Sequence, residues 1–462
     1  MREACGVFGI YGCDGAARQA YLGLYSLQHR GEESAGIVVS DDRTIRSKRG
    51  MGHLGEVISP DDFERLPGHM AIGHVRYSTT GSPRPANVQP LIIEYSKGKV
   101  AVAHNGTLTN ARLLRETYEA KGSIFQTSTD SEILVHLMAD PDHLSRPDHI
   151  AHCLAHLEGA FSLLIMTKQE LYAARDRHGF RPLSLGDLNG SPVIASETCA
   201  FDLLGARFVR DVEPGELIKV NTSGVQTERF VPPEEVTPAH CIFEHIYFAR
   251  PDSRVFGETC HLVRGRLGER LAREQPADAD VVVAVPDSGI PAALGYARAS
   301  GIPFDYGFIR NHYVGRTFIQ PAQRRRGLGV RIKLNAIADV VRGKRVVVVD
   351  DSIVRGTTSR TRLGMLRDAG AREVHLRISS PPIRYPCFFG IDFPTREELI
   401  ASNRSVEEVR EFIGVDSLGY LSVEGLLSAV SRPPDYYCTA CFTGNYPCGV
   451  SEAVEKLALE RR

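Results

Sequence analysis

The 462-residue sequence lacks the features that direct a chain into or across a membrane. It has no apolar run of the roughly 18 residues that spanning a bilayer requires, and residues 1–4 are too few for a secretion signal. Charge is balanced, with 55 Lys and Arg against 56 Asp and Glu. Nothing in this composition favours bulk attraction to nucleic acid or to a membrane surface. We therefore expect a cytoplasmic protein.

A disulfide framework and a repeat architecture are also not expected. The ten cysteines are scattered over a long chain, which favours thiols, metal ligands or catalysis in a reducing compartment. No internal repeat or low-complexity tract is present. The length exceeds the size at which one hydrophobic core stops growing, so the sequence predicts at least two domains.

The pattern of apolar residues changes along the chain. In the first 230 residues, β-type runs at 6–11, 35–40, 71–77, 100–104 and 161–167 alternate with helical stretches at 18–28 and 131–138, which predicts a layered α and β domain. Residues 230–238, with three prolines and two acids, predict a linker. Further on, valine-rich runs at 281–285 and 346–349 predict strands buried on both faces of a parallel sheet. The polar stretch 316–334 between them predicts a mobile lid.

Cys5 is a candidate nucleophile because removal of residues 1–4 would place a free α-amine beside its thiol. An α-amino group has a pKa near ~8, so it can be partly neutral and act as the base for its own side chain. The alternative is that Cys5 is a small buried hydrophobic residue.

Five sequence blocks favour the nucleophile. They are CGVFGI, LQHRGEESAGI, GHVRYSTTG, AHNGTLTN and STDSE, in this order between Cys5 and Glu132. Together they resemble the class II glutamine amidotransferase domain, an N-terminal nucleophile fold of the αββα type. The resemblance implies that Arg76 binds the α-carboxylate of glutamine, that Asp130 binds its α-amine, and that Asn105 and Gly106 form the oxyanion hole. A guanidinium fork suits a carboxylate, and an amide with a backbone N–H suits a developing oxyanion.

A second motif, VVVVDDSIVRGTT at 346–358, is a predicted buried strand followed by two acids and a small-residue loop. It resembles the signature of type I phosphoribosyltransferases for phosphoribosyl pyrophosphate (PRPP). Asp350 and Asp351 can accept hydrogen bonds from ribose hydroxyls, and backbone N–H groups at a helix start can bind the 5′-phosphate. The alternative is an ordinary strand–turn–helix with capping residues. The loop residues assigned to PRPP are Ser352, Arg355, Gly356, Thr357 and Thr358.

Two further segments resemble parts of the same family. The block VPDSG at 285–289 resembles its pyrophosphate loop, which assigns Asp287, Ser288 and Gly289 to PRPP. The resemblance implies one Mg²⁺ held by Ser288, Asp350 and Asp351. The lid resembles the flexible catalytic loop, which assigns Arg316 and Lys333 to PRPP, and its closure would exclude water. The run Arg324, Arg325 and Arg326 is interpreted as a solvated face.

Four cysteines form a third candidate site. Cys438 and Cys441 have the C-x-x-C spacing, which serves zinc, redox dithiols and iron–sulfur clusters alike. Cys241 and Cys387 lie in segments that resemble the other ligand segments of iron–sulfur-containing glutamine PRPP amidotransferases. The resemblance implies one four-iron four-sulfur cluster per chain with a structural or oxygen-sensing role. Structural zinc and no metal are the alternatives. The cysteines interpreted as ordinary thiols are Cys13, Cys153, Cys199, Cys260 and Cys448.

The motifs extend from residue 5 to about 446 and together resemble the amidophosphoribosyltransferase family. The resemblance implies a two-domain α/β enzyme that releases ammonia from glutamine and transfers it to PRPP, the opening step of purine synthesis. The expected division is a leader at 1–4, a glutaminase domain at 5–235, a phosphoribosyltransferase domain at 242–430 and a cysteine-bearing segment at 431–462.

The resemblance also implies feedback inhibition by purine nucleotides and a homotetramer or homodimer. An apolar ammonia passage between the domains, formed when the lid closes, is a further hypothesis. One alternative is a glucosamine-6-phosphate synthase-like enzyme, against which the DDSIVRGTT segment argues. Another is a non-catalytic PRPP-binding regulator, which would have no use for Cys5.

Overall fold

The computed structural model describes residues 5–77, 81–311, 334–393, 395–450 and 459–460. The predicted leader and nearly all of the predicted lid, with Arg316, Arg324, Arg325, Arg326 and Lys333, lie outside these residues.

The first half of the chain contains thirteen strands and seven helices within the described ranges. The strands are β1 Gly6–Tyr11, β2 Ser34–Ser40, β3 Ile45–Met51, β4 Met70–Arg76, β5 Leu91–Tyr95, β6 Gly98–Leu108, β7 Gly159–Met166, β8 Leu171–Arg175, β9 Ser184–Leu188, β10 Ser191–Ala195, β11 Arg207–Asp211, β12 Glu216–Asn221 and β13 Gly224–Arg229. The helices are α1 Ala16–Ser26, α2 Leu54–Val57, α3 Ala111–Ala120, α4 Glu132–Ala139, α5 Pro141–Leu144, α6 His149–Ala155 and α7 Cys199–Leu204.

These strands form two antiparallel sheets, in the orders β11-β9-β10-β1-β4-β2-β3 and β13-β12-β8-β7-β6-β5. Successive residues of a strand face opposite sides of its sheet. In β4, Ile72 therefore belongs to the core between the sheets, whereas Ala71 and Val75 belong to the core under α1 and α7. A third core lies under α3, α4 and α6. The predicted αββα sandwich is confirmed.

The second half contains ten strands and seven helices among the described residues. The strands are β14 His240–Cys241, β15 Arg254–Val255, β16 Glu258–Thr259, β17 Val281–Ala284, β18 Phe308–Arg310, β19 Leu334–Ala336, β20 Arg345–Asp350, β21 Glu373–Ile378, β22 Ser417–Tyr420 and β23 Tyr437–Cys438. The helices are α8 Cys260–Glu274, α9 Ile290–Ser300, α10 Ala338–Val341, α11 Thr357–Asp368, α12 Val406–Ile413, α13 Val423–Leu427 and α14 Ala440–Thr443.

A parallel sheet in the order β17-β20-β21-β22 forms the centre of this half. Val347 and Val349 pack into a core with α8 and α9, while Val346 and Val348 pack into a second core with α11 and α12. Because helices cover both faces, every position of β20 from Val346 onward is buried. The valine-rich runs predicted this arrangement correctly.

The structure differs from the sequence pattern at the start of the predicted linker. Phe230 and Val231 are buried there in the core of the first half. Between α12 and α13 the chain forms β22, a four-residue strand that pairs with β21. Within the described part of the chain, no helix is both long and apolar enough to cross a membrane.

Candidate active sites and a four-thiol centre

Cys5 lies immediately before β1, which pairs with β4 and so brings the cysteine close to Arg76 and Tyr77. Its Sγ donates to the Tyr77 carbonyl at 3.2 Å, and Arg30 Nε donates to the Cys5 carbonyl at 2.9 Å. Burial raises the pKa of the Cys5 thiol, against the opposing effect of Arg76 and Arg30. A thiol with a raised pKa stays protonated and needs a base to remove its proton before it can attack. Its own α-amine is the expected base.

Asn105 lies in β6 with its side chain completely buried. Neither its Nδ2 nor its Oδ1 has a hydrogen-bond partner among the described residues. Leaving a buried amide unpaired costs about 1–3 kcal/mol, so such a group in a native fold calls for an explanation. Gly106 has φ 149°, and a Cβ there would lie 2.0 Å from the Ala160 carbonyl oxygen, so this position requires glycine. The pair has the chemistry of an oxyanion site.

Asp130 is buried beside the carboxyl end of β6, where its Oδ2 accepts a hydrogen bond from the Leu108 N–H at 2.8 Å. Burial alone would raise its pKa, but His104, 3.7 Å away, and backbone N–H groups hold the pKa below the ordinary value. The carboxylate is thus suited to an ammonium group. His104 is a residue that the sequence reasoning missed, although it stands inside the AHNGTLTN block.

A segment from the second half of the chain completes this site. Gly390 packs so closely on Gly106 that a Cβ at Gly390 would lie 2.9 Å from the Gly106 Cα. Two residues later, Asp392 Oδ2 accepts a hydrogen bond from the Tyr77 hydroxyl at 3.0 Å. His74 Nε2 in β4 donates to the His104 carbonyl in β6 at 3.0 Å. The structure therefore brings Cys5 and Arg76, at β1 and β4, together with the oxyanion pair and Asp130, at β6.

A fully buried ionic network lies behind the nucleophile. Arg30 Nη2 donates to Glu244 Oε1 at 2.7 Å, and Arg181 Nη1 donates to the same oxygen at 3.0 Å. Arg30 also pairs with Glu197, and Arg181 Nε donates to the Phe389 carbonyl at 3.0 Å. Burial alone would raise the pKa of Glu244, but the two guanidinium groups hold it below the ordinary value. The network was not predicted, although Arg30 and Glu244 lie within sequence blocks that carried the resemblance.

The second site lies at the carboxyl ends of the neighbouring strands β17 and β20. Asp350 and Asp351 are both buried there, and burial together with the Asp351 charge raises the pKa of Asp350 above its ordinary value. Arg362 lies 3.8 Å from Asp350 Oδ2. Two adjacent buried acids are stabilised by a cation or by hydroxyl donors, as a magnesium-bound sugar would supply.

The loop from β20 to α11 has the geometry of an anion site. Gly356 has φ 74°, a backbone conformation that favours glycine, and a Cβ there would lie 2.7 Å from Ile400 Cδ1. Helix α11 begins at Thr357 and runs for 12 residues, and Thr357 and Thr358 are exposed in its first turn. N–H groups at such a helix start bind anions. The Ser352 hydroxyl donates to Asp351, whereas Arg355 is exposed and pairs with Glu398 at 2.8 Å.

The predicted pyrophosphate loop follows β17 and lies against the same region. A Cβ at Gly289 would lie 2.6 Å from the Val349 carbonyl oxygen, so the loop abuts the end of β20. Ser288 is partly buried, and Asp287 is exposed and pairs with Arg310. The structure thus brings the two PRPP loops together, while Arg316 and Lys333 lie outside the described residues.

The four predicted ligand cysteines come together although they are distant in sequence. Cys241 and Cys438 lie opposite each other in the parallel pair of β14 and β23. The N–H groups of Arg384 and Tyr385 donate to the Cys441 carbonyl, which brings the Cys387 segment alongside. Burial raises the pKa of all four thiols, that of Cys241 to about 12. The Phe389 N–H donates to Cys387 Sγ at 3.4 Å, and such bonds favour a sulfur that carries negative charge.

Four thiols at one place have the chemistry of a metal centre. Four thiolates can bind either a single zinc ion or a four-iron four-sulfur cluster. Cys448, interpreted as an ordinary thiol, packs in the same small core as Cys387 and Cys438.

The comparisons with known proteins agree with this geometry. Residues 74–202 match the family model of the glutamine amidotransferase domain. An amidophosphoribosyltransferase from Bacillus subtilis is 52% identical over 452 residues, which are 97% of this chain and 94% of that protein. The solved structure of glutamine PRPP amidotransferase from B. subtilis complexed with ADP and GMP has 51% identity and a TM-score of 0.91, and the match covers 97% of this chain and 98% of that one. A solved allosteric regulatory enzyme of purine biosynthesis has 50% identity and a TM-score of 0.94, with 99% of both chains covered.

The fold and the two sites define a glutamine amidotransferase joined to a phosphoribosyltransferase. With this identity over almost its entire length, the chain belongs to the amidophosphoribosyltransferase family. The family and fold class predicted from the sequence are confirmed. The roles of individual site residues and the domain boundaries stay predictions.

Replacing Gly390 with alanine tests the contact between the two halves at the first site. The new Cβ would press on Gly106 at 2.9 Å, and displacing a reacting group by about 1 Å can cost roughly 10²-fold in rate. We expect glutamate formation from glutamine to fall by about that factor.

Gly122→Ala is the matched control. Gly122 has the same φ of 92°, but no atom lies within 4 Å of its would-be Cβ. It imposes a similar backbone strain without the collision, and we expect it to retain glutaminase activity. Equal activities for the two variants would show that the Gly390 contact is not needed.

Proposed function

We propose that this protein hydrolyses glutamine at Cys5 and transfers the ammonia to PRPP, which gives 5-phosphoribosylamine, glutamate and pyrophosphate in the first step of de novo purine synthesis. The proposal is carried by the presence of both sites in one chain that is 52% identical to an amidophosphoribosyltransferase. The first site contains the unpaired buried amide of Asn105, and the second contains the buried acids Asp350 and Asp351 at a strand end. A glutaminase needs the first and a PRPP enzyme needs the second.

In the glutaminase half-reaction, the α-amine of Cys5 takes the thiol proton once residues 1–4 are removed. The thiolate then attacks the glutamine amide, and the charge that develops on its oxygen is stabilised by the Asn105 Nδ2–H and the Gly106 backbone. Arg76 holds the α-carboxylate and Asp130 the α-amine. Ammonia leaves after the amine returns its proton, and water hydrolyses the thioester to glutamate.

In the transferase half-reaction, Asp350 and Asp351 accept the ribose hydroxyls. The backbone of 352–358 binds the 5′-phosphate, and the loop 287–289 binds the pyrophosphate. Mg²⁺ held by Ser288, Asp350 and Asp351 would neutralise the leaving group, and the buried, mutually repelling acids favour such a cation. Closure of the lid, which carries Arg316 and Lys333, would exclude water and complete a passage for ammonia between the domains.

The two half-reactions can be separated by Cys5→Ala. We expect glutamine-dependent pyrophosphate release from PRPP to fall at least about 10³-fold, because no nucleophile remains. The rate with ammonium chloride should be unchanged. The measurement is anaerobic pyrophosphate release with each nitrogen source.

Cys13→Ala is the control, because Cys13 is a partly buried thiol packed against the core under α1 and α7, and it should keep both activities. If neither the parent protein nor the variants release pyrophosphate with either nitrogen source, the enzyme proposal fails. A PRPP-binding regulator would then be the better hypothesis.

We further propose that Cys241, Cys387, Cys438 and Cys441 hold one four-iron four-sulfur cluster with a structural or oxygen-sensing role. The pairing of Cys241 with Cys438 and the packing of Cys387 against the same small core as Cys438 support a four-thiolate centre, which such a cluster requires. Phe389, Gly390 and Asp392 follow Cys387 closely, so the ligand segment runs directly into the contacts with Tyr77 and Gly106. Loss of the cluster should therefore disturb the glutaminase site as well as the fold.

Metal analysis of anaerobically purified protein tests this proposal. We expect about four iron and four sulfide per chain in the parent protein and in the control Cys448→Ser, whose sulfur shares the small core with Cys387. Cys438→Ser should lose the cluster and most of the soluble protein. One zinc per chain without sulfide would contradict the proposal.

Inhibition by purine nucleotides is also proposed. The solved structure complexed with ADP and GMP supports it, since that protein is 51% identical to this chain. Assembly as a homotetramer or homodimer is proposed on the general frequency of symmetric oligomers.

A further inference from the structure

Three histidines on the outer layer of the first half take no part in either active site. They are His143 in α5 and His152 and His156 at the end of α6. Each ring contributes one nitrogen, and these three nitrogens all lie within 4.8 Å of one another. His143 and His152 are partly exposed and His156 is exposed, so the cluster opens to solvent.

The hydrogen bonds of two rings determine which nitrogen carries the proton. His143 Nδ1 lies 3.1 Å from the Leu137 carbonyl, and His156 Nδ1 lies 2.9 Å from the His152 carbonyl. A carbonyl only accepts, so each Nδ1 carries the hydrogen and each neutral ring keeps its Nε2 lone pair. This is the arrangement in which metal-binding histidines are usually held, with the far nitrogen donating to a backbone carbonyl.

The backbone around the cluster is anchored. Asp140 caps α5 by accepting from the Asp142 N–H at 3.0 Å and also accepts from Lys121 at 2.9 Å. His149 Nε2 binds the Met138 carbonyl at 2.9 Å, which ties the start of α6 to α4. Because His152 and His156 are four residues apart, they stand on one face of the helix, as paired metal ligands do.

The three ring nitrogens could bind one metal ion if they moved slightly closer together. Nitrogens bound to zinc at about 2.05 Å in a tetrahedron are about 3.4 Å apart. Rotation of the exposed His156 and His152 side chains can supply the difference of a little over 1 Å. Cys153 is fully buried, and its sulfur lies 3.8 Å from Nδ1 of His143, on the far side of that ring from Nε2. It is therefore no candidate ligand.

We propose that His143, His152 and His156 form a surface site for one divalent transition-metal ion of the zinc class. Imidazole ligands suit zinc, copper and nickel, and three of them leave the remaining positions to water. A bound ion would join α5 to α6 and stabilise this part of the helical layer. The site is independent of the four-thiol centre, since its ligands are nitrogen only.

Titration of the full-length protein with Co²⁺ under anaerobic conditions tests the proposal. The parent protein should bind one ion with visible d–d bands but without the sulfur-to-cobalt charge-transfer band that a thiolate site produces. The double variant H152A/H156A should lose this ion, and H143Q alone should bind it at least about 10-fold more weakly. His261→Ala, an exposed histidine on α8, is the matched control and should bind like the parent protein.

Equilibrium dialysis with Zn²⁺ gives the stoichiometry, and the thermal midpoint should rise with Zn²⁺ in the parent protein more than in the double variant. If the double variant fails to fold, H143Q and H156Q measured singly give the same comparison. Identical binding by all variants, or a cobalt spectrum with sulfur charge transfer only, would overturn the proposal.

Discussion

The two halves of the molecule depend on one buried arrangement of charge, in which Glu244 of the second half binds Arg30 and Arg181 of the first. All three side chains have at most 1% of their surface exposed. Desolvating a charge costs several kcal/mol, which only close opposite charges and hydrogen bonds offset. Separation of the halves would therefore break both of these ion pairs at once. The network acts as a constraint on how the halves meet.

Both chemical parts of the first site are positioned by this constraint. Arg30 holds the backbone of Cys5, and Arg181 holds the backbone of Phe389, next to the glycine that packs on Gly106. The same segment begins at a predicted cluster ligand, Cys387. The nucleophile, the oxyanion position and the four-thiol centre are thus connected to one another through this network and the segment that follows Cys387. The PRPP loops stand apart from it, at the edge of a parallel sheet where strand ends meet.

Much of this architecture could be predicted from the sequence, because its signals are local. Valine runs without polar alternation indicated the two-sided burial of β17 and β20, and motif order indicated both active sites. The contacts between distant residues could not be predicted. Nothing in the local pattern around Arg30 signals Glu244, and Gly390 shows no sign of its contact with Gly106 until the chain is folded. For the same reason the unpaired amide of Asn105 is visible only in the structure.

Equilibrium unfolding of Glu244→Gln by denaturant tests most directly whether the buried network holds the two halves together. Removing one partner of a buried ion pair typically costs about 3–5 kcal/mol. Glu235→Gln is the comparison, because its pair with Arg177 at 3.2 Å is exposed and should contribute about 0–1 kcal/mol. A large loss for Glu244→Gln alone, with both halves unfolding in one step, is the predicted result. Equal stability of the two variants would contradict the account.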